Sequence, residues 1–251
     1  MKTILLLLLL LAFIPVAAQR PQTPQRHVLF DFRNERSNEP HKISAAVQRD
    51  VLSKVFRRYL NDANRCQANF DAGENFLAGA RRAGQIVPNI AEVATGSFTA
   101  AGQNETAYLI YVNECNASHA DNFGSKRLAI FAGPRLVVDL DLDFKSSIVA
   151  KTDLDLDGIN ELLMTSGDMA QGEVIEMGAL LSFQNGRIRV IQDFNTVVND
   201  DCASLRPGAA TKAAVLSYAN AALGQMPKIK VDYYAAGCGK TRRWRVIKGP
   251  I

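Results

Sequence analysis

Acidic residues between Asp153 and Glu161 form the part of the sequence best suited to chemistry. Aspartates stand at positions 153, 155 and 157, Gly158 follows, and Glu161 occupies the ninth place of the segment. Carboxylates at this spacing converge only if the backbone curls around a common centre, and their mutual repulsion there requires a cation. A hard cation that accepts many oxygen ligands fits, and Ca²⁺ suits the site better than Mg²⁺, which retains its waters. The spacing therefore predicts a calcium site.

The predicted site uses four acidic side chains and one backbone carbonyl. Gly158 provides the tight turn, which brings the carbonyl of the next residue toward the ion. We predict the ligands to be Asp153, Asp155, Asp157, Ile159 and Glu161. An EF-hand is excluded because that loop needs a bidentate Glu at its twelfth position, where this chain has Met164.

The pattern Asp-x-Asp-x-Asp-Gly-x-x-Glu at 153–161, running into the apolar segment Leu162–Met164, resembles the calcium loops of FG-GAP and VCBS repeats. In that family the loop joins two strands of a β-propeller blade. The resemblance covers about one loop and its flanking strands. It implies an antiparallel β structure built around a calcium ion.

A second run of alternating acids, Asp139, Asp141 and Asp143, lies just upstream and provides a comparison. It has no glycine at the sixth place and no acid at the ninth. Strict alternation of acids with leucines is typical of a strand that buries one face and exposes the other. We therefore expect a β-strand here and no metal site.

An internal repeat places a second copy of the turn before the acidic segment. The segment Ser97–Glu105 aligns with Asp153–Glu161, 56 residues later, and matches it in the glycine, the asparagine and the final glutamate. At the three aspartate positions the first copy has Ser97, Thr99 and Ala101. It is therefore predicted to form the same turn without a metal ion, held by hydrogen bonds from Ser97 and Thr99 to nearby backbone.

A second alignment extends the repeat downstream. The segment Phe131–Val138 matches Phe183–Val190, 52 residues later, and both are predicted to be tight hairpins. Two units of about 50 residues, each of several strands, are typical of propeller blades.

The predicted fold class is mainly β with α additions. Its antiparallel sheets are expected to resemble two to three β-propeller blades, with an N-terminal amphipathic helix, Ile43–Ala63, packed on them. A second short helix is predicted over Glu74–Gln85, and strands from Gly96 onward. Because a closed propeller typically needs four to eight blades, helices or a second copy of the chain are expected to cover the open sheet edges.

The chain divides into four predicted parts. Residues 1–18 have the charged start, the apolar run and the small residues before a cleavage site that mark a signal peptide. Residues 19–41 form a polar linker with a short extended patch, 42–95 a helical segment, and 96–251 the β domain. The mature protein is expected to be secreted or periplasmic, with no stable membrane span after cleavage.

The cysteines fit an exported protein. Cys66, Cys115, Cys202 and Cys238 are widely spaced, and an even count in an oxidising compartment favours two disulfides. Proximity favours Cys66 with Cys115 and Cys202 with Cys238, although four cysteines allow three connectivities. No pair has the spacing of a zinc or redox motif.

Several functional classes find no support in the sequence. There is no phosphate-binding glycine loop and no nucleophile elbow, and the histidines, His27, His41 and His119, are scattered. The formal net charge of +4 is too mild to indicate binding to nucleic acid.

The sequence thus predicts an exported, non-catalytic, calcium-binding β domain of FG-GAP/VCBS-like type. Adhesion, scaffolding or recognition of an unknown protein or carbohydrate is the expected role, and an oligomer is open. The alternative is a secreted hydrolase acting on carbohydrate or protein through acidic catalytic residues that the sequence does not locate.

Overall fold

The computed structural model describes residues 25–34, 43–55, 89–112, 125–142, 147–204, 206–239 and 241–251. The predicted signal peptide, the predicted second helix, and Cys66 and Cys115 lie outside these ranges. Most of the predicted polar linker lies outside them as well.

The described residues form twelve strands, one α-helix and one short 3₁₀ turn. Their bounds are β1 (Arg26–Asp31), α1 (Ala45–Val55), β2 (Asn89–Gly96), β3 (Glu105–Val112), β4 (Ser125–Ala132), β5 (Arg135–Asp141), β6 (Ser147–Thr152), β7 (Glu161–Ala170), β8 (Glu173–Ser182), the 3₁₀ turn (Gln184–Gly186), β9 (Arg189–Asp200), β10 (Ala210–Ala219), β11 (Lys230–Gly237) and β12 (Arg245–Ile247).

The strands form two antiparallel sheets, which confirms the mainly β prediction at this level. One sheet has four strands in the order β2-β3-β4-β5. The other has eight, in the order β12-β11-β10-β9-β8-β7-β6, with β1 added on β10, and it is curled into a half-barrel. Each strand from β2 to β12 pairs with the next along the chain, except at β5–β6, where the sheets divide.

Strand β10 is flanked by three other strands, because two of them share one of its edges. Strand β9 pairs with Thr211–Ala213, and β1 pairs with the following part, Val215–Ala219. Strand β11 runs along the opposite edge. The short extended patch predicted within the linker thus corresponds to β1, which belongs to the sheet: its aromatic residues lie in the apolar interior, where Phe32 is 6% exposed.

The β structure also begins earlier than expected. Strand β2 spans Asn89–Gly96 and pairs with β3 along its length, although this segment was assigned to the helical part of the chain. Its Ile90 is buried, and Val93 is partly buried against the same apolar cluster. These apolar residues give the segment the burial that a strand on a sheet requires.

Two apolar clusters hold the sheets together. The first lies between the four-stranded and the curled sheet and includes Phe98, Leu128 and Leu162. The second lies within the curled sheet and includes Leu163 and Leu180. Successive strand residues point to opposite faces, so neighbouring leucines of β7 fill different cores.

The third apolar cluster contains residues of α1 and of the four-stranded sheet. Val51 and Leu52 of the helix are buried in it, together with Ile90, Ile110 and Phe131. The predicted continuation of the helix toward Ala63 lies outside the described residues. The packing of a longer amphipathic helix on the sheets stays a prediction.

The strands follow the spacing of the sequence repeat. Strands β2 and β6 end at Gly96 and Thr152, and β3 and β7 begin at Glu105 and Glu161, so both boundaries recur 56 residues later. The units β2–β5 and β6–β9 therefore present four antiparallel strands each in the same order.

The two hairpins of the repeat differ in length. In the β4–β5 hairpin Ala132 pairs with Arg135, leaving a two-residue turn. In the β8–β9 hairpin Ser182 pairs with Arg189, so the prediction of a tight hairpin is wrong there. The longer connection contains the 3₁₀ turn, and the backbone N–H of Asn185 donates to the carbonyl of Thr99, which ties this turn to the other sheet.

Candidate metal centre

The predicted calcium loop connects β6 to β7 and is anchored by two apolar side chains. Leu154 and Ile159 are 3% and 6% exposed, which holds the loop on the protein between these points. Leu156 and Gly158 adopt left-handed backbone with φ of 61° and 85°, a conformation that glycine accepts readily and leucine rarely. The loop therefore curls tightly between its anchors.

Three of the predicted ligands come together. Asp153, Asp155 and Glu161 each direct a carboxylate oxygen to a common region, and these oxygens lie within 4.8 Å of one another. The two aspartates are partly buried, and Glu161 is 3% exposed. These three side chains are the group of possible metal ligands, among the histidines, cysteines, aspartates and glutamates of the described residues, whose ligand atoms lie this close together.

The other two predicted ligands are not part of that group. Asp157 is exposed, and its Oδ1 accepts the backbone N–H of Ile159 at 2.8 Å. This bond fixes the backbone on one side of Ile159. The carbonyl of Ile159 as a ligand stays a prediction.

Asp153 has one satisfied and one unsatisfied oxygen. Its Oδ2 accepts the backbone N–H of Gly158 at 3.0 Å. Its Oδ1 is inaccessible to solvent and has no hydrogen-bond partner among the described residues. An unsatisfied buried acceptor costs about 1–3 kcal/mol, and more if it is charged. A cation bound in the loop would satisfy this oxygen.

The electrostatics of the cluster are unfavourable without a cation. The pKa of Glu161 is raised to about 7, mainly by burial and in addition by the charges of the three nearby aspartates, while the hydrogen bond from the N–H of Leu154 opposes the rise. Burial likewise raises the pKa of Asp155, with contributions from Asp157 and Asp153. A proton or a metal ion must compensate this density of negative charge.

The first copy of the loop shows how a buried glutamate is satisfied without an ion. Glu105 is 1% exposed and accepts the backbone N–H groups of Phe98 and Thr99 at 2.6 and 2.8 Å. The hydroxyl of Thr99 donates to the same carboxylate. In the second loop the N–H of Leu154, the equivalent of Phe98, makes the corresponding bond at 3.0 Å.

The decisive difference lies at the position of Thr99. Its equivalent 56 residues later is Asp155, which brings an acceptor and a negative charge where the first loop has a donor. The remaining geometry is shared: Gly102 has φ of 71°, and Ser97 Oγ donates to the carbonyl of Gln103 at 2.7 Å, as predicted. Thr99 departs from the prediction, because its hydroxyl binds a carboxylate and not backbone.

The two loops lie against each other, which the sequence did not predict. The N–H of Asn160 donates to the carbonyl of Ser97, and the N–H of Ser97 donates to Asn160 Oδ1 at 2.9 Å. The alignment identified Asn160 only as a match to Asn104. A further support, the bond from the N–H of Gly224 to the carbonyl of Asp155 at 2.7 Å, has no local sequence signal.

The upstream acidic run is a strand, as predicted. Asp139 and Asp141 lie on β5, and Arg127 on the neighbouring strand forms ion pairs with both. The carboxylates are thus compensated by a guanidinium. Asp143 lies outside the described residues.

His27 and Glu173, which lie outside the loop, have structural partners. His27 lies on β1 with its ring centroid 5.5 Å from that of Tyr218. Glu173 accepts a hydrogen bond from Asn199 and pairs with Arg206. His41 and His119 lie outside the described residues, and the acids of the alternative hydrolase stay unlocated.

The predicted Cys202–Cys238 disulfide is confirmed, with Cα atoms 5.5 Å apart. It joins the segment after β9 to the segment after β11. Among the described residues no helix has the length and apolar character needed to cross a membrane.

Comparison with protein-family models, with curated proteins and with solved structures finds no match to this chain.

Proposed function

We propose that the protein is an exported, non-catalytic, calcium-binding β domain of FG-GAP/VCBS-like type that serves adhesion, scaffolding or recognition. The observation that carries this proposal is the buried Glu161, whose carboxylate shares a site with Asp153 and Asp155. A calcium ion there is bound by these side chains and, by resemblance to the family, by Asp157 and the carbonyl of Ile159.

The comparison of the two loops supports an ion at the second loop and none at the first. Glu105 is satisfied by three donors of the protein, whereas Glu161 faces carboxylates. Ca²⁺ accepts six to eight oxygens in flexible geometry, which suits a short loop rich in carboxylate and carbonyl oxygens. The proposed export also supports a calcium ion at the second loop, because extracellular calcium sites function with Kd values of about 10⁻⁴–10⁻³ M.

The repeated four-strand units support the blade-like part of the proposal. Hydrogen bonds join Ile148 to Glu92 and Lys151 to Thr95, in each case residues 56 apart. Equivalent positions of the two units therefore meet along β2 and β6. Adjacent blades that meet through their first strands would give this pattern.

Calcium binding provides the direct test. Titration calorimetry and thermal unfolding with and without millimolar calcium are expected to show one ion bound per chain and a higher melting temperature. An ion that binds only the native state stabilises it by RT ln(1 + [Ca²⁺]/Kd), which is about 0.4–1.4 kcal/mol when calcium is at one to ten times Kd. Asp155→Ala and Glu161→Ala are each expected to abolish both effects.

The acidic strand upstream provides a matched control. Asp141→Ala removes an aspartate whose side chain is 63% exposed and that lies outside the loop. This variant is expected to bind calcium as the wild type does. A wild-type protein without a calcium-dependent shift at millimolar calcium would refute the proposed function.

A further inference from the structure

The boundary between the two sheets is closed by hydrogen bonds next to the metal loop. Glu92, Thr95 and Ser97 on one side are bonded to Ile148, Lys151 and Asn160 on the other. The pair of Ser97 and Asn160 is the one that involves the metal loop itself. Asn160 thus belongs both to the metal loop and to the contact between the sheets.

Asn160 binds Ser97 at two points. Its backbone N–H donates to the carbonyl of Ser97, and its side-chain Oδ1 accepts the N–H of Ser97 at 2.9 Å. The preceding residue of the first loop is Gly96, where a side chain would run into the Asn160 amide. We call this two-point contact the Asn160 clamp.

The clamp lies within the metal loop, so the state of the loop sets its position. Asn160 is covalently joined to Ile159, a predicted ligand, and to Glu161, a member of the acidic cluster. Gly158 is also pressed against the first loop, since a Cβ on it would lie 3.0 Å from that of Ala101. An expansion of the loop by repulsion between its carboxylates would therefore act on the contact between the two loops.

The residues beside the clamp belong to the core between the sheets. Phe98, which follows Ser97, and Leu162, which follows Glu161, are 0% exposed and lie in the same apolar cluster. Release of the clamp would allow solvent to reach this cluster from the loop end.

We propose that cation occupancy of the loop operates the Asn160 clamp as a latch between the two sheets. With the ion bound, the clamp holds Ser97 and the inter-sheet core is closed at this end. Without the ion, the clamp opens more often, and the four-stranded sheet gains freedom relative to the curled sheet. This inference rests on the proposed calcium site and adds a calcium-dependent conformational change to it.

Amide hydrogen exchange of Ser97 and Phe98, with calcium and with chelator, tests the latch. Exchange reports local opening free energies, and calcium is expected to slow exchange at both amides by about tenfold or more if opening is coupled to ion loss. Phe98 is the better reporter of opening. Its N–H is bonded to Glu105, whereas the N–H of Ser97 is bonded to Asn160 itself.

Three variants separate the latch from ion binding. Asn160→Ala removes the side-chain half of the clamp, and Gly96→Ala displaces it while every residue of the metal loop is retained. Gly96→Ala is expected to bind calcium, and both variants are expected to lose the effect of calcium on exchange at Phe98. Asn104→Ala is the matched control, since Asn104 is the exposed counterpart in the first loop, and it should behave as wild type.

The outcomes distinguish this proposal from the proposed function. A wild type that binds no calcium refutes both. A wild type that binds calcium without any change in exchange at Ser97 and Phe98 overturns the latch alone. The latch is also overturned if Asn160→Ala and Gly96→Ala keep the full calcium effect, and Gly96→Ala decides the matter if Asn160→Ala does not fold.

Discussion

Glu105 and Glu161 hold equivalent positions at the start of β3 and β7, yet their surroundings impose opposite demands. The carboxylate of Glu105 accepts hydrogen bonds from three donors of the protein. That of Glu161 is buried among aspartates. The pair therefore allows the contribution of the ion to be measured against a built-in reference.

The first prediction concerns the pH dependence of stability in the ion-free protein. The pKa of Glu161 is raised from 4.5 to about 7, so between these values the folded protein binds more protons than the unfolded chain. The free energy of unfolding then falls as pH rises through this window, by roughly 3 kcal/mol in total. In Glu161→Gln the free energy of unfolding should not show this fall with rising pH.

Urea denaturation in chelator between pH 4 and 8 checks this prediction. The quantity of interest is the difference between wild type and Glu161→Gln, because other carboxylates titrate in both proteins. A difference that stays constant between pH 4 and 8 contradicts the prediction. Saturating calcium is expected to reverse the loss in wild type, since it compensates the charge that burial disfavours.

The second prediction concerns Glu105. Glu105→Gln replaces a carboxylate that accepts hydrogen bonds from Phe98 and Thr99, so it should destabilise the protein by about 1–3 kcal/mol. The loss should be the same with and without calcium. If calcium reversed this loss of stability, Glu105 would belong to the metal site.

At the scale of elements, the two loops differ by the side chains that decide metal binding while they share the turn. Both turn at a left-handed glycine, Gly102 and Gly158, and both lead into a strand that begins with a buried glutamate. The same turn thus forms both with and without the aspartates of the proposed metal site.

The third prediction uses this separation. The triple variant Ser97→Asp, Thr99→Asp and Ala101→Asp is expected to create a second calcium site with Glu105. Calorimetry should report two ions per chain where the wild type binds one. In chelator the variant should be less stable than wild type, because Thr99 no longer donates to Glu105 and carboxylates face each other.

Two results bear on this test. Calcium binding in the triple variant with Asp155→Ala added shows whether the new site works by itself. A triple variant that folds in calcium yet binds a single ion contradicts the view that side chains alone distinguish the loops.

Much of the element structure was predictable, since it follows from local patterns. The alternation of acids with leucines located β5, and the glycine and acid spacing located the tight acidic loop before β7. The pairing of β1 with β10 and the clamp between Asn160 and Ser97 join distant residues. No local pattern encodes them, because they depend on how finished sheets meet.

At the scale of the molecule, the Cys202–Cys238 disulfide joins the segments that follow β9 and β11, the two strands on either side of β10 in the curled sheet. The bond spans 36 residues of sequence, and β12 follows on the far side, where Arg245 pairs with Ala235. A cross-link of this kind restricts the unfolded chain more than the folded one.

The fourth prediction is that the double variant Cys202→Ala and Cys238→Ala loses about 2–5 kcal/mol of stability. Urea denaturation of both proteins without reductant measures the loss. The wild type in reductant should approach the variant. Equal denaturation midpoints for oxidised wild type and variant would show that the disulfide contributes nothing to stability.

The pairing of β1 with β10 has a consequence for the order of events during synthesis. Arg26 on β1 binds Ser217 on β10, 191 residues later, so β1 has no strand to join until most of the chain has left the ribosome. Contacts of such high sequence separation form slowly because a long loop must close first. Phe30 and Phe32, which pack with residues of β10 in the finished fold, therefore cannot reach their final surroundings before β10 has been made.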